Sequence, residues 1–294
     1  MDKTKKYMAG ARIAILLATL IWGTSFIVLK DALDGIDTFF LLALRFSIAA
    51  LVLVLVFIKK LKKINKSYII YGCLAGAFLT FSYVFQTIGL DYTTPGKNAF
   101  LTTIYCILVP FIYWIVKKVK PDAFNYIAAI VCIIGIGFVS LDGNLSMGFG
   151  DVMTLIGGFG FALHMVLLAV ATKDRDPFLL TCIQFVSAAV FLWVLTALFG
   201  EIPSAQALSG SALFEIIYLA VFASAVAMLL QAIGQKYTPA SQVAVLMTLE
   251  SVFGVVFSVI FYHEVLTPKL VIGFILIFIA VLTSETKLSF LRRK

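Results

Sequence analysis

Apolar runs of about twenty residues, the length a helix needs to cross the hydrocarbon layer of a bilayer, alternate along this chain with short polar breaks. Ten runs are legible, near residues 8–29, 37–58, 68–89, 96–117, 121–140, 149–171, 177–199, 211–234, 238–261 and 268–286. None carries the broad polar face that a helix of a soluble bundle turns to water. The pattern predicts an all-α polytopic membrane protein of ten transmembrane helices, with breaks too short to hold a soluble domain. Local chemistry supports several boundaries. Asp176-Pro177 and Thr267-Pro268 each set a capping oxygen before a proline at the first helical position. The opening "MDKTKKYMAGARIAILL" has the charge of a signal peptide, but its apolar run continues to span length and reads as a retained first helix.

Composition agrees: of 294 residues, 62% are hydrophobic and 13% charged, too few charges to coat a soluble domain. Their placement sets an orientation. Nineteen of the 23 Lys and Arg residues fall at the termini or in the breaks on the same side, around Lys59 to Lys66, Lys117 to Lys120, Lys173 and Arg175, and Lys236. The other side holds Lys30, Lys97 and Lys269, and Arg45 lies within a span. By the positive-inside rule both termini are expected in the cytoplasm, in a multi-pass protein of the inner (cytoplasmic) membrane. The net charge of +8 then anchors the chain to an anionic lipid surface and predicts no nucleic-acid partner. Cys73, Cys106, Cys132 and Cys182 all fall within spans, without CxxC spacing, and read as small apolar fillers. No metal site and no cofactor is expected.

One phrase is written twice. "QTIGLDYT" (Gln86 to Thr93) and "QAIGQKYT" (Gln231 to Thr238) share five of eight positions, 145 residues apart. The same shift matches Ala99 with Ala244, Leu101 with Leu246, Thr103 with Thr248 and Ile115 with Ile260. The first copy ends the third span and the second ends the eighth, so the two copies run in opposite directions through the membrane. The expectation is two five-helix repeats, 1–145 and 146–294, of inverted topology. In secondary transporters such repeats hold the substrate near the midplane where they meet.

Polar groups within spans are costly and face cavities or partners. Glu250 is the one acidic residue near the centre of a span; with Gln242, Leu246, Gly254 and Ser258 it forms a small and polar stripe at i+4 spacing. It is the candidate for a substrate amine or a proton. Arg45 lies at a depth that allows an ion pair or gate contact with Glu250. His164 stands in mid-span as a neutral packing residue or a proton relay. Aligning Arg45 with Gln184 makes Ser25 the counterpart of His164, with Trp22 beside it as an aromatic wall. Asn98, Thr102 and Cys106 form a polar seam ending at Pro110, where a kink is expected. Tyr105 corresponds to Glu250 under the 145-residue shift, and Tyr83 offers another aromatic surface. The candidate substrate-binding set is therefore Trp22, Ser25, Tyr83, Asn98, Thr102, Tyr105, His164 and Glu250. Glu250, Arg45 and His164 are the candidates for proton coupling or gating.

Several stretches resemble a known family: "IWGTSF", "LRFSIAALVL", "GDVMTLIGGFGFALHMVLL", "DPFLLTCIQF" and "TLESVFGVVFSVIFYHEVLT" are similar to EamA-type permeases of the drug/metabolite transporter superfamily. The family's Glu-Pro and Gly-Glu are here Glu250-Ser251 and His263-Glu264. The resemblance implies an exporter or exchanger of small metabolites, commonly amino acids and their relatives. The expected mechanism is that of a secondary transporter working by alternating access, with a proton as the candidate coupling ion and a monomer or homodimer as the assembly. An uptake carrier is the alternative, and a channel a more distant one, since no selectivity filter or ring of like charge is visible. Two histidines and no HExxH or G-x-S-x-G motif argue against an enzyme.

Overall fold

The computed structural model describes residues 3–141, 143–237 and 246–287. Ten helices follow in chain order: α1 (Lys3–Leu33), α2 (Thr38–Phe57), α3 (Lys66–Asp91), α4 (Pro95–Thr102 and Ile104–Lys117), α5 (Ala123–Ser140), α6 (Phe149–Ala171), α7 (Pro177–Phe199), α8 (Ser211–Ile217, Tyr218–Val226 and Ala227–Tyr237), α9 (Leu249–Phe261) and α10 (Pro268–Thr286). Among the described residues, nine of these helices are long and apolar enough to cross a membrane, and α9 is a shorter apolar helix. Among the described residues no strand forms beyond a single bridge between Leu141 and Met147. The protein is a multi-pass membrane protein.

Helix starts follow their capping chemistry. Asp176 accepts from Phe178 N–H, Thr267 from Leu270 N–H and Thr94 from Lys97 N–H, each ahead of a proline. Two irregularities were not foreseen. Pro110, where a kink is expected, lies inside the continuous segment Ile104–Lys117, and the break in α4 falls earlier, at Thr103 between its two parts. There Thr102 and Thr103 turn their hydroxyls back onto the carbonyls of Asn98 and Phe100, competing with the regular ladder. In α8, Tyr218–Val226 winds as a π-helix, in which each N–H reaches back five residues instead of four.

The helices interleave across the midpoint of the chain. α3 packs along α6 and α7, while α1 packs along α8 and α9, α2 along α7 and α8, and α5 against α10. α4 lies between α6 and α9. At the lysine-rich end, Lys60 pairs with Asp176 at 3.2 Å and its ammonium lies over the stacked rings of Phe57 and Phe178. There Arg175 donates to Ser67 Oγ, and Tyr68 OH accepts from Asp176 N–H, so the turn after α2 is tied to the turn before α7.

Candidate functional site

The centre is built where α8 departs from α-helical winding. Trp22 Nε1 of α1 donates to the Ala223 carbonyl at 2.8 Å, and Arg45 Nε of α2 donates to Ser224 Oγ at 2.9 Å. A carbonyl has two lone pairs, so Ala223 can accept from another helix without leaving its own. Thr24 of α1 and Tyr218 of α8 share a hydrogen bond at 2.5 Å. Three bonds from α1 and α2 therefore grip the π segment.

Arg45 is 2% exposed. Its guanidinium carbon lies 4.9 Å from the centroid of the Tyr83 ring, within cation–π range. The Tyr83 ring in turn meets Phe46 and Phe161 edge-on. Glu250 stands on α9, half-buried, close enough to Tyr83 and Tyr105 to interact electrostatically with both. The ion pair that depth allowed between Arg45 and Glu250 does not form: the ion pairs among the described residues are Lys60–Asp176, Lys97–Asp151 and Lys287–Asp122. Arg45 reaches a hydroxyl and an aromatic face instead, because Ser224 and Tyr83 occupy the space beside it. The stripe of Glu250, Gly254 and Ser258 does face protein: Gly254 packs on Ala99, and Ser258 donates to Glu264. Gln242, placed on the same stripe by sequence, lies outside the described residues.

Asn98 and Thr102 sit deeper in protein than a cavity wall would. Gln86 Nε2 donates to Thr102 Oγ1 at 3.0 Å, while Asn98 Nδ2 donates to the Gln86 carbonyl and to Thr154 Oγ1. This polar knot joins α3, α4 and α6, and leaves Asn98 Oδ1 buried with no hydrogen-bond partner. His164 is buried on α6 and its Nε2 lies 2.9 Å from Gln184 Oε1 on α7. Ser25 bonds back to the Trp22 carbonyl of its own helix. Trp22, Arg45, Tyr83, Tyr105 and Glu250 thus gather around one region; Asn98 and Thr102 belong to the knot, and His164 to the α6–α7 contact.

At the face opposite the lysine-rich end, a cavity of about 570 Å³ opens between the α1–α2 turn, the end of α3 and the segment after α7. Asp34, Asp37, Asp91 and Glu201 line it, and none of the sequence-predicted site residues does.

The family profile of EamA-like transporters matches residues 10–141 and again residues 148–285. The chain belongs to the EamA-like transporter family. An uncharacterized transporter of Archaeoglobus fulgidus is 33% identical over 273 residues, covering 92% of this chain and 84% of that protein. The uncharacterized Bacillus subtilis transporter YvbV is 27% identical over 293 residues, covering 96% of this chain and 94% of its own. A solved crystal structure superposes with a TM-score of 0.67 at 15% identity, over 97% of this chain and 99% of its own length, a likeness of fold alone.

Within this EamA-like transporter, sequence reasoning missed Ser224, Gln86, Thr154 and Glu264. Glu264 accepts from Thr94 Oγ1 at 2.5 Å, from Gly96 N–H at 3.1 Å and from Ser258 Oγ, pinning the start of α4 to the end of α9. Its position just past a span suggested a solvated loop. The signal that could have found it is the pair of donors on either side of Pro95, the Thr94 hydroxyl and the Gly96 N–H, which need an acceptor at a buried helix start. Ser224 carries no such signal, because an isolated serine in an apolar run looks the same whether it faces a partner or its own backbone.

Proposed function

We propose that the protein is a secondary carrier that exports or exchanges a small metabolite, such as an amino acid or a relative, by alternating access. Glu250 is the group that takes a proton or the substrate's amine. The observation that carries this reading is a half-buried carboxyl in the first turn of α9 as described, near enough to Tyr83 and Tyr105 to act on both electrostatically, with no cation within ion-pair distance among the described residues. A charge in that position is expensive, so such groups mark substrate or proton pathways.

Inverted repeats supply the second half of the reading. Two glycines of the doubled phrase make matching contacts: a Cβ on Gly89 would lie 2.8 Å from the Gly150 carbonyl of α6, and one on Gly234 would lie 2.9 Å from the Ala11 carbonyl of α1. Gly150 and Ala11 are separated by the same 139 residues as Gln184 and Arg45. That agreement supports two halves related by a twofold axis in the membrane plane, with the substrate between them. The lysine-rich face is then cytoplasmic and the acidic cavity opens outward.

The test begins with metabolite profiles of cells with and without the protein, which nominate the substrate. Flux of that compound driven by a pH gradient is then measured in proteoliposomes for the unmodified chain and for Glu250→Gln. The expected result is loss of driven flux in the variant with folded yield retained. Undiminished driven flux would return Glu250 to a packing role.

A further inference from the structure

Arg45 presents a problem that transport through Glu250 does not solve. It lies seven residues from the start of α2, about 10 Å along the helix axis at 1.5 Å per residue. A guanidinium carries five N–H donors in a planar fork and stays charged. At this depth an unpaired charge costs several kcal/mol, and natural chains meet that cost with a counter-charge or with backbone carbonyls. Yet no carboxylate among the described residues stands within ion-pair distance. What holds the side chain is neutral: Ser224 Oγ on Nε, and the ring of Tyr83.

We infer that Arg45 is an anion seat, and that it receives a carboxylate borne by the transported molecule. The inference rests on the carrier reading above and names a chemical requirement of its substrate. The fork suits a carboxylate, which it can bind through two parallel N–H···O bonds. The Tyr83 ring packs on the guanidinium and lies near enough to Glu250 to feel its charge, so a small molecule carrying an anionic and a cationic group could address the two poles at once. The π-helical segment explains why the seat is covered by a hydroxyl. Its backbone sets Ser224 against Arg45, and Ser224 Oγ itself donates to the Leu219 carbonyl five residues back. With Arg45 2% exposed, a ligand reaches it only as α8 shifts. A π turn is a place where a helix can make that shift by passing one residue through its winding.

The experiment uses the full chain in nanodiscs of phosphatidylcholine, so that no anionic headgroup competes. Trp114 and Trp193 are replaced by Phe, leaving Trp22, which is bonded to the residue preceding Ser224, as the fluorescent reporter. Sodium acetate, sodium chloride and ethylammonium chloride are titrated at matched ionic strength, and the thermal unfolding midpoint of the chain with all three tryptophans is followed in parallel. Acetate should give a saturable response beyond that of chloride. Arg45→Gln should weaken it at least tenfold. Arg45→Lys, which keeps the charge but not the fork, should weaken it at least threefold, and it decides the matter if the Gln variant does not fold. The response to ethylammonium should be the same in all three proteins. No acetate response beyond chloride in either readout, or one unmoved by the Arg45 substitutions, overturns the seat. Because binding is read at equilibrium without a gradient, the outcome is separate from the driven-flux result on Glu250.

Discussion

Glu264 shows how much one side chain can organise. Two hydroxyls and a backbone N–H converge on its carboxylate, and it is 9% exposed. Removing the acceptor leaves buried donors unpaired, at about 1–3 kcal/mol for each group so stranded. Glu264→Ala should therefore lower the thermal unfolding midpoint in detergent by several degrees. Glu264→Gln, which keeps an acceptor oxygen, should lower it less; midpoints for both variants equal to that of the unmodified chain would mean that the carboxylate carries no structural weight. At this scale the sequence was half legible. Glu250 announced itself as a carboxyl in mid-span, and Trp22, Arg45 and Tyr83 announced themselves as large polar or aromatic groups among aliphatics. Which partner each would choose was not legible, because Arg45 had Glu250, Ser224 and Tyr83 all within reach of its depth, and side-chain competition is settled by three-dimensional packing.

The helices were far more legible than their contacts. α6, α7 and α10 span 149–171, 177–199 and 268–286 as their polar breaks and prolines predicted. The π segment of α8 was hidden, since "YLAVFASAV" is mostly apolar and has no periodicity from which a change of winding could be read. The doubled phrase was legible as a repeat but not as a packing contact, and two of its glycines give a paired prediction. Gly89→Ala drives a methyl into the backbone of α6, and Gly234→Ala drives one into the backbone of α1. A backbone cannot swing aside as a flexible side chain does, so each should cost about 1–3 kcal/mol of stability, read as a lower unfolding midpoint and less monodisperse protein. The two halves are not equivalent if one substitution is silent while the other is severe.

For the molecule as a whole, orientation comes from charge alone, and a cysteine scan tests it. In a chain freed of its four native cysteines, Lys62→Cys should resist a membrane-impermeant maleimide applied to intact cells, and Ser204→Cys should react. The reverse pattern would turn the lysine-rich face outward. The interleaving of helices has a consequence for how the protein is made. α1 finds its neighbours in α8 and α9, α3 in α6 and α7, and α5 in α10. During synthesis the first five helices therefore enter the bilayer well before the surfaces that cover them exist, and Arg45 and Gln86 wait for Ser224 and for the groove beside α6. The newborn amino-terminal half is a client for chaperoning or degradation until the last helix is released from the ribosome. A stop codon after residue 145 should thus yield a short-lived fragment, and supplying residues 146–294 as a separate polypeptide in the same cell should extend its half-life severalfold in a pulse-chase measurement.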